Sequence, residues 1–339
     1  MRILILGGTR FMGPRVVRRL LSDRHEVTVF HRGQTRSAEL PREATEVLGE
    51  RADLPRHARE FAPDVVLDMM PMRATDAETV MRTFRGVAGR IVAISSMDVY
   101  RAYGRFNGLE PGEPDPVPLT ETSPLRETLY PYRATATGPE DPLHDYDKIP
   151  VEQIVLGDPE LPGTVLRLPA VYGPRDYRHR VFPYLKRMDD GRPEILLGVR
   201  EARWRWSRGY VDNVAAVIAC AITDPRAAGE TFNVCDAATL GEAQWVEAIG
   251  RAAGWTGRVV TLPDDSLPAH LRRDCHWEQD LHADSGRIRA VLGCEEVVTL
   301  EEGMRLAVEW QRSHPPESVN PDDFDYAAED AALAACGRP

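Results

Sequence analysis

Three glycines, Gly7, Gly8 and Gly13, lie near the start of the chain, where a short apolar segment gives way to a helical pattern. The preceding residues 2–6 have the isoleucine and leucine content of a buried strand. Backbone amides in such a turn, together with the positive end of the following helix, can bind a pyrophosphate. The glycines therefore predict a dinucleotide site, and a plain tight turn between strand and helix is the alternative.

The residues after the second predicted strand bear on which dinucleotide is expected. About twenty residues beyond the glycines, NAD-binding folds carry an Asp or Glu that binds the ribose hydroxyls. The chain reads FHRG there, at residues 30–33, and holds no acid. Arg32, helped by Arg10 or Arg36, can bind a 2'-phosphate instead. Charge therefore favours NADP slightly over NAD, and the alternative is that Arg32 is only an exposed turn residue.

Cationic and aromatic side chains alternate in two later segments, RDYRHR at 175–180 and WRWSR at 204–208. Guanidinium groups bind phosphates, and aromatic rings pack against a base or the face of a sugar. The pattern predicts substrate contacts, with arginines on a solvated surface or a single-strand nucleic-acid site as alternatives. The predicted substrate-binding residues are Arg175, Tyr177, Arg178, Trp204, Trp206 and Arg208, together with Tyr132 from an earlier segment.

These residues must be positioned by elements that alternate between strand and helix. Strands are predicted at 2–6, 25–30, 64–67 and 90–94, with an amphipathic helix at 14–21 between the first two. Helical stretches also precede the later strands, so a parallel sheet with helices on both faces is the simplest architecture. The sequence therefore predicts an α/β fold of the Rossmann type, a doubly wound parallel sheet with its ligands at the carboxyl ends of the strands.

The chain divides into two lobes and a tail. Residues 1–168 are predicted as the cofactor-binding domain, with a helix at 151–156 and a final strand at 163–168. Residues 100–147 interrupt it with a segment rich in Pro and Gly, interpreted as a lid or rim near the active site or as a surface insertion. Residues 169–313 are predicted as a smaller α/β substrate lobe, with some segments returning to the first domain. Residues 314–339 form an acidic tail that we expect to be partly ordered.

Composition argues against several classes of protein. Of the 339 residues 42% are apolar and the net charge is -11, the wrong sign for a protein that neutralises nucleic-acid phosphates. The longest apolar run, residues 214–222, is too short to span a membrane. MRILILGG at the start is typical of a strand rather than of a secretory signal, and the five cysteines are scattered without a CxxC pair. We therefore expect a cytoplasmic protein with no metal site, no membrane span and no nucleic-acid partner.

The motifs, in their order, resemble those of the extended and atypical short-chain dehydrogenases, the epimerase and dehydratase family. GGTRFMG is similar to the GGxxxxG variant of the atypical branch, and SSMDVY, the YDK before Glu152 and RLPAVYGPR are similar to later segments of that family. The resemblance extends over residues 1–313. It implies a nicotinamide cofactor in the first domain, a sugar or sugar nucleotide between the lobes, and a homodimer.

The glycine turn and the resemblance together assign a set of cofactor contacts. Residues 48–50, LGE, resemble the turn that contacts adenine in the family, whereas Arg10 replaces the middle glycine of a GxxGxxG turn. The expected cofactor contacts are Gly7, Gly8, Thr9, Arg10, Phe11, Met12, Gly13, His31, Arg32, Glu50, Arg51, Met69, Lys148 and Pro169.

Ser96 and Asp98 are the first two catalytic candidates that the resemblance implies. Ser96 is at the position of the family's catalytic Ser, where a hydroxyl can bond the substrate alcohol and its developing ketone. Asp98 is at the place where sugar-nucleotide dehydratases carry the carboxylate that removes the proton beside the ketone. The alternatives are that Ser96 only satisfies backbone groups at a strand end and that Asp98 only caps the next loop.

The remaining catalytic group departs from the family pattern, which has Tyr four residues before Lys. Lys148 fits, but His144 stands four residues before it and Tyr146 only two. Because Pro150 is tolerated only in a first helical turn, the helix is predicted to begin near Asp147 as its N-cap. Tyr146 and His144 then lie in the preceding loop. Tyr146 suits proton transfer beside a hydride step and is slightly favoured, and His144 suits acid and base catalysis near neutral pH.

These residues support one leading functional hypothesis and two alternatives. The leading hypothesis is an NAD(P)-dependent epimerase or dehydratase, an oxidoreductase-like isomerase or lyase that acts on a nucleotide-linked sugar or nucleoside through a transient ketone. The first alternative is an NADPH-dependent ketoreductase of a secondary metabolite. The second alternative is a non-catalytic RNA-binding or interaction protein that has kept the fold.

Overall fold

The computed structural model describes residues 1–35 and 39–337. The strands in those ranges are β1 Arg2–Leu6, β2 Glu26–His31, β3 Thr45–Leu48, β4 Val65–Asp68, β5 Arg90–Ser96, β6 Gly163–Leu168, β7 Ala170–Tyr172, β8 Glu194–Gly198, β9 Arg208–Tyr210, β10 Thr231–Asn233 and β11 Arg258–Leu262. The α-helices there are α1 Gly13–Ser22, α2 Leu54–Phe61, α3 Ala74–Phe84, α4 Arg101–Phe106, α5 Lys148–Leu156, α6 Phe182–Asp189, α7 Val199–Arg203, α8 Val211–Thr223, α9 Glu242–Ala253, α10 Gly286–Leu292, α11 Leu300–Ser313 and α12 Tyr326–Ala335. None of the helices in the described part of the chain combines the length and apolar character of a membrane span.

The larger lobe is built on one parallel sheet with the strand order β10-β6-β5-β4-β1-β2-β3. β1, β4 and β5 are nearly continuous apolar runs that are buried on both faces, as expected of parallel strands between two layers of helices. One apolar cluster packs on each side of the sheet. The prediction of an α/β fold of the Rossmann type is confirmed.

The sheet has a reversal of strand order between β1 and β4, which are neighbours although the chain runs outward from them in opposite directions. In open parallel sheets such a reversal opens a crevice at the carboxyl ends of the strands, and ligands bind there. Gly7 follows β1 directly and Met69 follows β4 directly, so both lie at this point. β5, next to β4, ends at Ser96 rather than at the predicted residue 94.

The second lobe is smaller and consists of helices with two short parallel strand pairs, β7 with β9 and β8 with β11. The chain does not stay in it, because β10 returns to the edge of the large sheet and pairs with β6. The two lobes therefore share this side of the sheet, where β6 lies between β10 and β5. Segments after residue 169 thus support the first domain.

Residues 100–147 are packed into the molecule. Tyr100, Phe106 and Leu119 are buried in an apolar cluster together with Trp204 of the second lobe. Part of the segment is helical, at α4, although its Pro and Gly content is typical of a loop. A helix of this length is too short to show a clear hydrophobic period and is stabilised chiefly by tertiary packing. The end of the segment, residues 126–147, lines the site described below.

The acidic tail ends in α12, which packs on β8 and β11 through Leu333. Glu329 of this helix is fully buried, and its Oε1 accepts hydrogen bonds of 3.0 and 2.7 Å from the buried Arg187 of α6. His270 also contacts this oxygen, at 3.1 Å. The tail is thus held against the substrate lobe by a buried ion pair.

This docking predicts a large difference between two neighbouring acids of α12. Glu329→Gln leaves the Arg187 charge buried without a counter-charge and should lower the free energy of unfolding by roughly 3 kcal/mol. The matched control is Asp330→Asn, because Asp330 pairs with Arg192 but its side chain is 61% exposed. Asp330→Asn should lower the free energy of unfolding by less than about 1 kcal/mol. Urea unfolding of both variants checks the difference, and equal losses would contradict the docking.

Candidate functional site

The glycine turn has the backbone that its sequence predicts. Gly7 and Gly8 have φ of 84° and 78°, and Phe11 has φ of 50°. Gly13 opens α1, and a Cβ added to it would lie 2.0 Å from the carbonyl oxygen of Gly8. Only glycine allows this approach, which brings the amino end of α1 against the turn. No acid lies in the first turn of α1, so its positive end is available to a pyrophosphate.

Two exposed apolar side chains flank the turn. Leu48, at the end of β3, is 57% exposed, and Met70, just after β4, is 55% exposed. A Cβ on Gly7 would lie 3.5 Å from Met70, and a Cβ on Gly33 would lie 3.4 Å from Leu48. Met70 thus lies beside Gly7 of the glycine turn, and Leu48 lies beside Gly33 after β2. Sequence reasoning chose Met69, which is buried, and missed its neighbour Met70.

The side chain of Arg51 is engaged elsewhere, contrary to its expected contact with the cofactor. Its guanidinium bonds both carboxylate oxygens of the buried Asp68 at 2.5 and 2.9 Å, and the carbonyl of Met70 at 3.1 Å. A buried carboxylate at a strand end needs a cation, and Arg51 supplies it. Its observed contacts therefore support the turn after β4. Glu50 is exposed, and its amide donates to Asp53.

The basic side chains near the second strand differ in how they are engaged. His31 is buried and its Nε2 lies 3.0 Å from Glu46 Oε2. Arg10 and Arg32 are exposed and have no hydrogen bond or ion pair with any residue that the structure describes. Arg36 lies outside the described residues. Arg10 and Arg32 are therefore free to meet an additional phosphate.

A substitution at Arg32 tests this preference. Arg32→Glu should weaken NADP binding about tenfold or more, because a charge-assisted contact to the 2'-phosphate is replaced by repulsion. NAD binding should change much less. Arg24→Glu, the same charge change at an exposed position beyond the far end of α1, is the control and should leave both affinities unchanged. Calorimetric titration measures the affinities of both variants for NAD and for NADP. An unchanged NADP affinity in Arg32→Glu would show that Arg32 is only an exposed turn residue.

Asp98 is the centre of a cluster at the carboxyl end of β5, which we call the Asp98 cluster. Its Oδ2 accepts a hydrogen bond of 2.9 Å from Tyr146 Oη and another of 2.9 Å from Tyr132 Oη. Its Oδ1 is buried and has no hydrogen-bond partner among the described residues. The amide of Asp98 donates to Ser96 Oγ at 3.2 Å. The cluster consists of Ser96, Asp98, Tyr132, Tyr146 and Lys148.

Burial controls the electrostatics of this cluster. Removal from water raises the pKa of Asp98, and the Arg126 guanidinium, the two phenols and Lys148 pull it back down. Burial, followed by the charge of Asp98, raises the pKa of Tyr146 well above its usual value. Ser96 acts on the pKa of Tyr146 in the opposite direction. The phenol therefore stays protonated unless Asp98 accepts its proton.

Lys148 is the first residue of α5, directly after the N-cap Asp147, whose side chain accepts from the amide of Ile149 at 2.9 Å. The predicted start of this helix is confirmed. Nζ of Lys148 donates to the carbonyls of Pro71 at 2.8 Å and Ile94 at 3.0 Å. Burial lowers the pKa of Lys148 to about 8. Because an ammonium has three donors, one is left for a ribose hydroxyl.

The structure separates the two candidates that preceded Lys148. Tyr146 is buried, reaches Asp98 and has its ring centre 5.7 Å from Lys148 Nζ. His144 faces the partly exposed Asp145, whose Oδ1 lies 2.9 Å from its Nδ1. Among the described residues, no hydrogen bond joins His144 to Asp98. Tyr146 is thus the one that the loop directs into the cluster.

Two of the predicted substrate contacts lie in the interior, which corrects their interpretation. Trp204 is 4% exposed, stacks on Phe106 at 4.6 Å between ring centres, and donates its indole N–H to the carbonyl of Gln279. Arg208 is buried and forms an ion pair with Glu242 at 2.5 Å. Both side chains already have their partners. Residue type alone does not reveal burial at either position, because Trp and Arg are found in surface sites as well as in cores.

The other predicted substrate contacts lie nearer to solvent. Trp206 is half-buried and its indole N–H donates to the hydroxyl of Tyr103 at 3.0 Å. Tyr177 is exposed and packs edge-on against Phe11 of the glycine turn, with Arg178 over its ring. Arg175 forms an ion pair with Glu39 at 2.7 Å. Pro169, an expected cofactor contact, is half-buried between β6 and β7.

Sequence reasoning missed two residues close to the cluster. Arg126 donates Nε to the carbonyl of Asp98 and NH2 to Asp147 Oδ1. Tyr103 is partly buried, and its removal from water together with the charge of Asp98 raises its pKa. Both belong to the segment rich in Pro and Gly, where a single sequence offers no spacing that would select them. No group of His, Cys, Asp and Glu in the described part of the chain is arranged to hold a metal ion.

Comparisons with known proteins agree with this fold. The sequence profile of the NAD dependent epimerase/dehydratase family matches residues 3–235. The 2'-dehydrokanamycin reductase of Streptomyces kanamyceticus is 28% identical over 331 residues, 94% of this chain and 82% of that protein. The dTDP-glucose 4,6-dehydratase of Salmonella typhimurium is 24% identical over 364 residues, 91% of this chain and 92% of that protein. The UDP-glucose 4-epimerase of Thermus thermophilus, solved with NAD, superposes with a TM-score of 0.64 at 22% identity, covering 93% of this chain and all 100% of that one.

The fold and the glycine turn define a Rossmann-type enzyme of the extended short-chain dehydrogenase superfamily. The chain belongs to the NAD dependent epimerase/dehydratase family. It is therefore an enzyme, and its cofactor is a nicotinamide dinucleotide, as the sequence predicts. The alternative of a non-catalytic protein on the same fold is not supported.

Proposed function

We propose that this enzyme oxidises a secondary alcohol of a sugar to a transient ketone and then epimerises or eliminates at the neighbouring carbon. The substrate is a nucleotide-linked sugar or a nucleoside. Asp98 carries this proposal, because it is a buried carboxylate beside Ser96 with one oxygen bonded by two phenols and the other free to accept a proton. An enzyme that only reduces ketones does not need such a base. The similarity to a dTDP-glucose 4,6-dehydratase supports the same class of reaction.

The first lobe offers contacts for each part of the cofactor. The glycine turn and the amino end of α1 would hold the pyrophosphate, Leu48 and Met70 would pack on the adenine, and the third donor of Lys148 would bind a ribose hydroxyl. When bound there, the nicotinamide supplies a reversible acceptor for hydride.

The protein's own residues handle the proton of the alcohol. Tyr146 Oη accepts this proton and passes its own to Asp98 Oδ2 along the existing hydrogen bond, so that one proton moves from the alcohol to Asp98. The hydroxyl of Ser96 donates a hydrogen bond to the same substrate oxygen and stabilises it as it becomes a carbonyl. Asp98 is then a neutral carboxylic acid.

Tyr132 returns Asp98 to its ionised form. Its hydroxyl bonds the same Oδ2, and its side chain is half-buried, so it can pass the proton outward to solvent. The free Oδ1 of Asp98 then takes the proton of the carbon next to the ketone, which that carbonyl has made acidic. Trp206, which is half-buried and bonded to Tyr103, offers a ring face on which the sugar can pack.

A second candidate is net reduction of a ketone on a secondary metabolite, with NADPH consumed. Tyr146 favours it, because its phenol is protonated in the resting site and is ready to protonate a ketone oxygen. The free Arg32 suits NADPH, and the similarity to a 2'-dehydrokanamycin reductase points the same way.

Isotope exchange separates the two candidates. The enzyme is incubated in deuterium oxide with NAD and, in turn, with dTDP-glucose and UDP-glucose, and the sugar is analysed by mass spectrometry. Incorporation of deuterium at carbon with no net change in NAD supports epimerisation or elimination. Equimolar oxidation of NADPH by a keto sugar, without exchange from the two nucleotide sugars, supports the reductase. If protein that binds the cofactor gives neither of these results, both candidate functions are contradicted.

We also infer that the enzyme works without a metal, as a homodimer in the cytoplasm, which is the arrangement that the resemblance implies. Size-exclusion chromatography with light scattering tests the dimer. The activity of enzyme treated with a chelator tests the absence of a metal requirement.

A further inference from the structure

Arg126 is a buried cation that connects the parts of the Asp98 cluster. Its Nε donates to the backbone carbonyl of Asp98 at 2.5 Å, and its NH2 donates to Asp147 Oδ1 at 3.2 Å. Its NH1 donates to the carbonyl of Thr128. Only 1% of either side chain of the Arg126 and Asp147 pair is exposed. The three nitrogens of the Arg126 guanidinium thus contact Asp98, Thr128 and Asp147.

Each of these contacts bears on a residue that handles protons or binds the cofactor. The carbonyl of Asp98 belongs to the short turn after β5. The hydrogen bond from Arg126 therefore fixes the backbone from which the Asp98 carboxylate extends. Asp147 lies between Tyr146 and Lys148 in the chain and caps α5. The other oxygen of Asp147 accepts from the amide of Tyr130 at 2.6 Å, which ties the segment carrying Tyr132 to the same carboxylate.

We propose that Arg126 is the positioning residue of this site: one buried guanidinium fixes the backbone of Asp98 and the side chain of Asp147 at the same time. Two separate pieces of chain are thereby held so that the phenol of Tyr146 meets the carboxylate. This inference rests on the proposed function for its effect on turnover, but its effect on the geometry of the free enzyme does not depend on any substrate.

The charge of Arg126 has a second consequence for Asp98. Burial raises the pKa of this carboxyl, and Arg126 is the strongest of the groups that lower it again. The other groups that face Asp98 are Tyr132, Tyr146, Lys148 and the partly buried Tyr103. Removing the guanidinium should therefore move the titration of Asp98 upward, because the ionised form loses its nearest counter-charge.

Two variants test the proposal in the full-length enzyme. The protein is labelled with carbon-13 at the side-chain carboxyl of aspartate, and the resonance of Asp98 is assigned by its loss in Asp98→Asn. Arg126→Met should raise the titration midpoint of Asp98 by about one pH unit or more. Arg126→Lys should keep it near the wild-type value, because the charge remains. Turnover should fall about a hundredfold in Arg126→Met with little change in KM.

The Lys variant separates charge from geometry. An ammonium cannot span the three acceptors that the guanidinium fork reaches, so Arg126→Lys should still lose about tenfold in turnover while the carboxyl titrates normally. The turnover of Arg126→Lys tests the positioning role of Arg126 even if Arg126→Met does not fold. Wild-type turnover in Arg126→Lys would overturn the positioning role.

Arg187→Met is the matched control, because Arg187 is also buried, pairs with a buried acid and bonds backbone carbonyls, but lies in the second lobe. It should lose stability and leave both the Asp98 titration and turnover per folded enzyme unchanged. A folded Arg126→Met with a wild-type titration of Asp98 would overturn the proposal. If the wild-type enzyme turns over no sugar while the titration shift is present, the proposed function fails and the role of Arg126 stands.

Discussion

Asp98→Asn should lower turnover about a thousandfold while leaving the affinity for NAD unchanged. Asparagine has the size of aspartate and can still accept hydrogen bonds from the two phenols, so the site should keep its shape. It cannot accept the proton that Tyr146 passes on, and it cannot remove a proton from carbon. The measurement is steady-state turnover on the substrate found by isotope exchange, with calorimetric titration of NAD in parallel.

The same variant should be more stable than the wild-type protein at neutral pH. Burial raises the pKa of Asp98 above its value in the unfolded chain, so folding is penalised at pH values where the carboxyl must be ionised in the interior. This penalty is fully present above the folded pKa and disappears as the pH falls below the unfolded value of about 4. Urea unfolding of Asp98→Asn should therefore show a gain at pH 7 that shrinks toward acid pH. A variant that keeps wild-type turnover, or that becomes unstable only at neutral pH, contradicts this role of Asp98.

Tyr146→Phe should lower turnover by about a thousandfold as well, whereas Tyr132→Phe should lower it only about tenfold. The two phenols are a matched pair, because each donates to Asp98 Oδ2 at 2.9 Å. Only Tyr146 also lies beside Lys148, where the substrate alcohol and the nicotinamide ribose are expected, and Ser96 acts on its pKa. Loss of Tyr132 slows the return of the proton to solvent but leaves the transfer from the alcohol in place.

The pH dependence distinguishes the two variants further. Tyr132→Phe should retain the shape of the wild-type profile, whereas the residual activity of Tyr146→Phe should rise with pH, because hydroxide can then take the proton of the alcohol. Equal losses in both variants would show that either phenol can serve as the proton carrier. A larger loss in Tyr132→Phe would reverse the assignment.

The sequence predicts those features that depend on local chemistry. β1 and β6 were expected at their observed bounds, because the apolar run of β1 ends at a glycine and β6 lies between two prolines. The start of α5 followed from one Asp that caps the helix and one Pro that is tolerated only in the first turn. The dinucleotide turn followed from three glycines at a strand end.

Features that depend on contacts distant in the sequence could not be predicted in this way. Tyr132 was expected to contact substrate. Its hydrogen bond to Asp98 could not be predicted, because the two residues are 34 positions apart and the segment between them has no periodicity. Trp204 and Arg208 have residue types that fit a binding surface, and only the packing of Phe106 and Glu242 against them reveals that they are interior. Arg126 gave no local signal, because its partners are set by the fold of the whole segment.

We propose that Tyr146 and Asp98 move the proton of a sugar alcohol while the nicotinamide accepts hydride, and rapid mixing tests this proton transfer. Enzyme saturated with NAD is mixed with dTDP-glucose or UDP-glucose, and the near-ultraviolet absorbance of reduced nicotinamide is followed. The wild-type enzyme should show a rise in absorbance that then decays, and Asp98→Asn and Tyr146→Phe should show none. Absence of any rise in wild-type enzyme that binds both NAD and the sugar nucleotide, or an undiminished rise in both variants, would contradict the claim.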